Sequence, residues 1–177
     1  MLYKQFLKTP SKKNLVGLIG TGHFGSAIIS QSQNNPYIKV PIIADKDLNS
    51  AKSAFYRAGI PDEKISVCYN RKSAIEAFES GKYVIIDDPL IMMDFPINVV
   101  AEATGNPEAA AYHVLSAIKN GKNVAMISKE ADSAIGPILN YKAEKNNLIY
   151  TAVDGDQHGL LINLVDWGKL LGLEIIY

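Results

Sequence analysis

The sequence predicts an α/β fold in which a mostly parallel sheet carries helices on both faces. Short runs of apolar, often β-branched residues alternate along the chain with amphipathic stretches of helical length, and glycine or proline separates most of them. The first run, residues 15–19, contains no polar residue, which is typical of a strand buried on both faces. Strands that alternate with helices form βαβ crossovers, and these crossovers make neighbouring strands parallel.

The composition agrees with a single globular domain. The chain has 177 residues, of which 47% are hydrophobic, and its 18 basic residues balance 18 acidic ones. Zero net charge provides no electrostatic attraction for nucleic acid or for an anionic membrane surface, and no apolar run approaches the roughly 20 residues of a membrane span. The single cysteine, Cys68, cannot form an internal disulfide, so we expect it to lie in the core of a cytoplasmic protein.

The first half of the chain predicts four strands and three helices. The predicted strands are residues 15–19, 38–44, 65–68 and 83–86, and the predicted helices are residues 24–33, 47–58 and 72–79. Pro41 interrupts the second strand because proline lacks the N–H that a central strand donates, so this strand either begins after Pro41 or bulges there. Asp47 or Asn49 is expected to cap the second helix.

The second half predicts three further strands and three helices. The predicted strands are residues 98–103, 123–127 and 148–153, and the predicted helices are residues 107–120, 133–146 and 160–171. Residues 173–177 have the composition of a strand that is just beginning, and residues 1–13 are expected to form an arm before a domain of residues 14–177. Tyr112 and Trp167 fall at helical spacing and are predicted to be packing residues.

A glycine-rich loop follows the first predicted strand and opens the first helix. It matches the pattern G-x-G-x-x-G and consists of Gly20, Thr21, Gly22, His23, Phe24 and Gly25. Asp45 follows the second strand, twenty residues after the last glycine of the loop. This arrangement is the fingerprint of a dinucleotide-binding domain of the Rossmann type, in which a doubly wound sheet holds the nucleotide at its edge.

Each position of this loop has a chemical role in such a site. The first glycine permits the tight turn, the second has no Cβ to block a pyrophosphate, and the third lets the helix pack close to the strand. The N–H groups at the helix N-terminus attract phosphates, and Asp45 can accept hydrogen bonds from the adenosine ribose. The alternative is a glycine turn that only joins strand to helix, with Asp45 as a solvated strand end.

Lys46 leaves the coenzyme open between NAD and NADP. The carboxylate of Asp45 favours NAD because it binds the ribose 2′-hydroxyl and repels a 2′-phosphate. A neighbouring ammonium group could offset that repulsion and admit NADP. The alternative is that Lys46 is a solvent-exposed lysine without a role in binding.

Polar segments follow three later strands, at the carboxyl edge where ligands bind in open α/β sheets. They are residues 102–107 (EATGNP), 128–132 (SKEAD) and 154–159 (DGDQHG). Ala103, Thr104 and Gly105 are predicted to approach the nicotinamide ribose. Thr104 or Asn106 could instead, or in addition, cap the helix that follows.

The runs at residues 16–22 (VGLIGTG), 101–105 (AEATG) and 129–132 (KEAD) resemble the cofactor domain of homoserine dehydrogenase-like oxidoreductases. The acidic stretches at 130–132 and 154–157 are similar, more narrowly, to the branch that carries a C-terminal SAF domain, which includes deoxyxylulose-phosphate reductoisomerase-like enzymes. The resemblance implies NAD(P)-dependent hydride transfer on a small hydroxy or keto substrate, which could be phosphorylated. It also implies a substrate and dimerisation region beyond Tyr177, and hence a homo-oligomer in the full-length protein.

Two residues are candidates for catalysis. Lys129 is predicted to end a strand, where its ammonium group could donate a proton or a hydrogen bond to a substrate carbonyl. Homoserine dehydrogenases, which the chain resembles, place a lysine at that strand end. The alternative is a surface lysine that pairs with Glu130. Asp156, together with Asp154 and His158, could orient a substrate or move protons, or it could belong to a loop that opens the last helix.

The sequence predicts no metal site, because His23, His113 and His158 lie far apart and without supporting ligands nearby. Two other functions remain compatible with the patterns described. One is a sugar or inositol dehydrogenase-like domain with a different substrate. The other is a nucleotide-binding regulatory module without catalysis.

Overall fold

The computed structural model describes residues 12–152 and 157–176, and for residues 157–162 it describes the backbone alone. Within these ranges the chain forms seven strands and six α-helices. In chain order they are β1 (Asn14–Ile19), α1 (His23–Asn34), β2 (Ile38–Ala44), α2 (Leu48–Arg57), β3 (Ile65–Cys68), α3 (Arg71–Glu79), β4 (Tyr83–Ile86), β5 (Val99–Glu102), α4 (Pro107–Lys119), β6 (Asn123–Met126), α5 (Lys129–Lys145), β7 (Tyr150–Ala152) and α6 (Gln157–Leu170).

The seven strands form one parallel sheet in the order β3-β4-β2-β1-β5-β6-β7. The predicted fold class, a doubly wound α/β sheet of the Rossmann type, is therefore confirmed. Strands β2, β3 and β4 all lie on one side of β1. The chain then returns to the centre of the sheet, where β5 pairs with the other side of β1. Connections leave the carboxyl ends of β1 and β5 in opposite directions, and such a switch point opens a ligand-binding crevice.

Apolar side chains fill a layer on each face of the sheet. Ile43 of β2 packs with Phe55 of α2 on one face, whereas the preceding residue, Ile42, packs with Met92 and Val114 on the other. Successive side chains of a strand point to opposite faces, so each inner strand contributes to both layers. This explains why the first strand is apolar throughout. Met92 belongs to a 3-10 helix, Pro89–Asp94, which links β4 to β5.

Pro41 lies inside β2, where the strand bulges. Leu15 pairs with Lys39 and Gly17 pairs with Ile42, so β2 advances three residues while β1 advances two. Pro41 falls within this irregular step, where the regular hydrogen-bond ladder is interrupted. Of the two alternatives that the sequence left open, the bulge is confirmed.

Local signals for capping and for the short strands are confirmed. Asp47 caps α2 by accepting hydrogen bonds from the backbone N–H groups of Asn49 and Ser50. Strands β3 and β4 span the predicted residues, and Cys68 is buried. No helix in the described part of the chain is both long enough and apolar enough to span a bilayer.

Three predictions for the second half are wrong. Helix α5 begins at Lys129 rather than at residue 133, because Glu130 and Asp132 lie in its first turn, where negative charge stabilises a helix N-terminus. Residues 173–176 form no strand. Tyr112 and Trp167 do not pack in the interior, since 62% and 66% of their surfaces are exposed.

Candidate functional site

The carboxyl edge of the sheet contains a cleft of about 310 Å³ at the switch point. It lies between the glycine loop, the residues that follow β2 and β4, and the start of α4. The predicted site residues that line it are Gly20, Thr21, Gly22, Asp45, Lys46, Ala103 and Thr104. His23, Phe24, Gly25 and Gly105 belong to the same loops but do not line this cleft.

The three glycines of the glycine loop occupy three different environments. Gly20 has φ +93°, and a Cβ on it would lie 2.7 Å from the carbonyl oxygen of Ala103, so the turn brings the ends of β1 and β5 together. A Cβ on Gly25 would lie 2.1 Å from the carbonyl oxygen of Gly20, which shows how closely α1 packs against the turn. A Cβ on Gly22 would meet nothing within 4 Å, because this glycine faces open space.

The N-terminus of α1 lacks the side-chain cap that α2, α3 and α4 carry, and so does that of α5. Gly22 is its N-cap residue and offers no side-chain hydrogen bond, whereas Asp47, Asn70 and Asn106 cap α2, α3 and α4. The first N–H groups of a helix have no partner within the helix and carry a partial positive charge. At α1 these groups are therefore available to an anion that approaches over Gly22.

Asp45 joins the end of β2 to the glycine loop. Its Oδ2 accepts hydrogen bonds from the backbone N–H and the hydroxyl of Thr21, at 2.7 and 2.5 Å, and its Oδ1 accepts one from the N–H of Asp47 at 3.0 Å. The carboxyl group is half-buried and lines the cleft, and so does the exposed Lys46 beside it. Since each carboxylate oxygen has two lone pairs, Oδ1 retains the capacity to accept from a ligand hydroxyl.

Glu102, the last residue of β5, holds the opposite side of the cleft together. Its side chain is fully buried and accepts hydrogen bonds from the hydroxyls of Thr104, at 2.6 Å, and Ser128. The Ser128 hydroxyl oxygen in turn accepts the N–H of Gly105 at 2.8 Å. The loop that follows β5 is therefore fixed by a carboxylate to which the sequence analysis assigned no role. Asn106, not Thr104, caps α4.

His113 is the second feature that the sequence analysis did not assign to the site. It lies on the buried face of α4, lines the cleft, and places its Nδ1 at 3.3 Å from Oε1 of Glu102. The structure thus gives this histidine a carboxylate partner that the sequence did not predict. A signal was present in the sequence, since an acidic residue ends an otherwise apolar strand and a histidine interrupts the apolar face of the next helix.

Lys129 lies beside the glycine loop although its predicted local structure was wrong. Strand β6 ends at Met126, so Lys129 is the first residue of α5 and not the end of a strand. Its Nζ lies 5.3 Å from the centre of the Phe24 ring, within the range of a cation–π interaction. This contact joins the N-termini of α1 and α5 at the carboxyl edge.

The other catalytic candidate cannot be placed, since Asp156 and Asp154 lie outside the described residues. At β7, the hydroxyl of Tyr150 donates a hydrogen bond to Asp132 at 2.7 Å. Burial and the Asp132 carboxylate raise the pKa of Tyr150 above its usual value. Among the described residues, no cluster of histidine, cysteine or carboxylate side chains is arranged to hold a metal ion.

Comparison with known families identifies the domain. Residues 17–152 match the family described as the NAD-binding domain of homoserine dehydrogenase. The chain belongs to this family. The matched segment extends from β1 to β7 and contains the glycine loop, Asp45 and the Glu102 network, so this is an NAD-binding domain of the oxidoreductase class. A search among curated proteins finds no significant match to the sequence.

Solved structures show the same fold at low sequence identity. A homoserine dehydrogenase from Thiobacillus denitrificans is 22% identical with a TM-score of 0.60, over 80% of this chain and 29% of that chain. A scyllo-inositol dehydrogenase from Lactobacillus casei, solved with NAD(H) and scyllo-inositol, is 16% identical with a TM-score of 0.57, over 89% and 42%. A 3-ketoreductase from Actinomadura kijaniata, solved with NADP, is 16% identical with a TM-score of 0.60, over 89% and 45%. The chain thus spans less than half the length of each.

Proposed function

We propose that the cleft binds NAD or NADP with the pyrophosphate at the N-terminus of α1, and that the domain is the coenzyme-binding part of an oxidoreductase. The reaction would transfer hydride between the nicotinamide and a small hydroxy or keto substrate, as the likeness to homoserine dehydrogenase implies. The narrower relationship to the SAF-bearing branch is part of this proposal. It rests on the acidic stretches of the sequence.

The observation that carries the proposal is the uncapped start of α1 beneath Gly22. The space that a Cβ would occupy at Gly22 is open, and no side chain supplies the acceptor that α2, α3 and α4 have at this point. A pyrophosphate is negatively charged and rich in acceptor oxygens, so it satisfies the free N–H groups and the helix dipole together. The residues present therefore fit a dinucleotide.

Asp45 and Lys46 would receive the adenosine ribose at the β2 end of the cleft. Asp45 is anchored through its Oδ2 to Thr21, which leaves Oδ1 to accept a ribose hydroxyl. Its negative charge opposes a 2′-phosphate, whereas the exposed ammonium group of Lys46 attracts one. These opposing charges support binding of NAD in preference to NADP, with Lys46 reducing the difference.

Ala103 and Thr104 would border the nicotinamide half, at the β5 end of the same cleft. When bound, the coenzyme accepts or donates the hydride. Lys129 can then act on the substrate, because its exposed ammonium group at the start of α5 is able to donate a hydrogen bond or a proton to a developing alkoxide. Asp156 remains a candidate from the sequence alone.

The first experiment is a titration of the purified chain with NADH and NADPH by calorimetry. We expect both reduced coenzymes to bind, with NADH the tighter. Gly22→Val should lower the affinity by at least about a hundredfold, because its side chain fills the space of the pyrophosphate. Gln31→Val, a change at an exposed position further along α1, is the control and should leave the affinity unchanged. Wild-type affinity in Gly22→Val would refute the assignment.

The second experiment tests catalysis in the natural protein that carries this domain. Lys129→Met should reduce turnover on a hydroxy or keto substrate by about a hundredfold or more while NADH affinity stays within about twofold. Equal turnover would remove Lys129 from the mechanism. Coenzyme binding without turnover on any hydroxy acid, sugar or inositol would instead favour a regulatory module.

A further inference from the structure

The buried pair of Glu102 and His113 lies at the β5 end of the cleft, and His113 is the member of the pair that lines it. His113 is 8% exposed and Glu102 has no exposed surface. Polar side chains are rarely enclosed to this extent without a structural or functional reason. The hydrogen bonds of Glu102 to Thr104 and Ser128 explain its burial, because they fix the loops that follow β5 and β6. The imidazole of His113 takes no part in fixing either loop.

The hydrogen bonds of Glu102 determine where His113 carries its proton. The carboxylate accepts from the hydroxyls of Thr104 and Ser128 and from the backbone N–H of Thr104. Because Glu102 acts as an acceptor in all of these bonds, the Nδ1 of His113 is the donor in the contact with Oε1. In the neutral ring, Nε2 is then left as an acceptor.

Nε2 of His113 has no hydrogen-bond partner within the described part of the chain, although the ring lines the cleft. In that same part of the chain, no fully buried side-chain nitrogen or oxygen lacks a partner. Nε2 therefore has accessible surface, and the cleft is a cavity that this residue lines. An acceptor whose tautomer is fixed by Glu102 is thus available at the β5 end of the cleft.

We infer that His113 is a coenzyme-binding residue, whose Nε2 accepts a hydrogen bond from the N–H group of the nicotinamide carboxamide. The inference rests on the proposed function, which puts the adenosine at Asp45 and hence the nicotinamide at the β5 end. Glu102 acts as a positioning residue, since it fixes the tautomer and the orientation of the imidazole. The pair thereby selects a ring that bears a primary amide.

The test compares three probes that differ at the nicotinamide. NADH carries the carboxamide, reduced 3-acetylpyridine adenine dinucleotide replaces it with an acetyl group that has no N–H, and ADP-ribose lacks the ring. We expect the wild-type chain to bind NADH about fivefold more tightly than the acetyl analogue, the effect of one hydrogen bond. In His113→Phe that preference should disappear, while ADP-ribose affinity remains unchanged.

Each remaining outcome is decisive. An undiminished preference in His113→Phe overturns the inference, and so does an equal loss of affinity for ADP-ribose, which indicates a purely structural role. If the wild-type chain binds none of the three probes, the proposed function fails as well. If it binds NADH and the acetyl analogue equally, the inference alone fails.

A measurement on the wild-type chain keeps the test valid if His113→Phe does not fold. Histidine ¹⁵N chemical shifts should place the proton on Nδ1 in the free chain. The shift of Nε2 should change when NADH binds, because this atom then accepts the carboxamide N–H, and should change less when the acetyl analogue binds. Equal changes with both probes, or a proton on Nε2 in the free chain, would contradict the inference.

Discussion

Each half of the sheet ends in a carboxylate that holds the neighbouring loop, but the two carboxylates are buried to different extents. Asp45, after β2, is half-buried and takes two of its hydrogen bonds from Thr21 of the glycine loop. Glu102, at the end of β5, is fully buried and takes its hydrogen bonds from three side chains of its own half. Asp45 itself lines the cleft, whereas Glu102 reaches it only through the side chains that it holds, Thr104 and His113.

This difference shows that a carboxylate at the carboxyl end of a strand can serve either to recognise a ligand or to support a loop. A half-buried carboxylate can exchange water for a ligand hydroxyl at little cost, so Asp45 suits recognition. A sealed carboxylate must be satisfied by protein donors, because burying it without partners would cost several kcal/mol. Glu102 therefore suits support and orientation, and it acts on a ligand only through the groups that it fixes.

The largest expected effect separates the two carboxylates by stability. Glu102→Ala leaves the buried donors on Ser128 and His113 without their acceptor, and we expect the free energy of unfolding to fall by about 3 kcal/mol. Asp45→Ala should lower it by less than about 1 kcal/mol, since water reaches that site. Urea denaturation of both variants measures the difference. Equal losses would remove the distinction between a supporting and a recognising carboxylate.

A second prediction applies the same contrast inside the glycine loop. Gly25→Ala forces a Cβ to within 2.1 Å of the Gly20 carbonyl oxygen, so we expect a loss of about 2 kcal/mol from overpacking. Gly22→Ala meets no neighbouring atom and should change stability by less than about 0.5 kcal/mol. Thermal unfolding of the two variants tests this. A destabilised Gly22→Ala would mean that the space above the loop is not open.

A third prediction concerns coenzyme choice at the β2 end. Asp45→Asn should lower NADH affinity about tenfold, because a charged acceptor of the ribose hydroxyl is lost, and should raise NADPH affinity relative to NADH. Lys46→Ala should lower NADPH affinity with little effect on NADH. Parallel calorimetric titrations provide the measurement. The idea fails if both variants reduce the two affinities by the same factor.

The smallest expected effect is in the pH dependence of the free energy of unfolding. One titrating group contributes from each half of the sheet, Asp47 after β2 and Tyr150 in β7. Hydrogen bonds from Ser50 lower the pKa of Asp47 below 3.8, so its contribution is present above that pH and is lost as the pH falls through the folded pKa. Burial raises the pKa of Tyr150 above 10.0, so its contribution is present below that pH and is lost as the pH rises further.

Asp47→Asn should therefore weaken the acid dependence of the urea midpoint, and Tyr150→Phe should weaken the alkaline dependence. Asparagine can still cap α2 and phenylalanine preserves the ring, so each variant removes the titrating group with little change of shape. The two variants are controls for each other, because neither should affect the opposite limb. Unchanged slopes in both variants would show that other groups dominate the titration.

The sequence predicted local features well and tertiary partnerships poorly. The glycine loop, the bulge at Pro41 and the Asp47 cap each depend on a few neighbouring residues. The start of α5 at Lys129 was missed because the acidic segment after β6 resembled a polar loop. The exposed position of Trp167 was missed because helical spacing shows which residues share a face, but not whether that face is covered.

By itself, the sequence determined the parallel α/β fold and the glycine loop. Both follow from hydrophobic periodicity and from backbone requirements that only glycine meets within a short span. Only the tertiary structure decided that Glu102 would form hydrogen bonds with Ser128 and His113, which lie 26 and 11 positions away in the sequence. Such contacts depend on how the crossover helices return each strand end to the same edge, and no spacing within the sequence records that geometry.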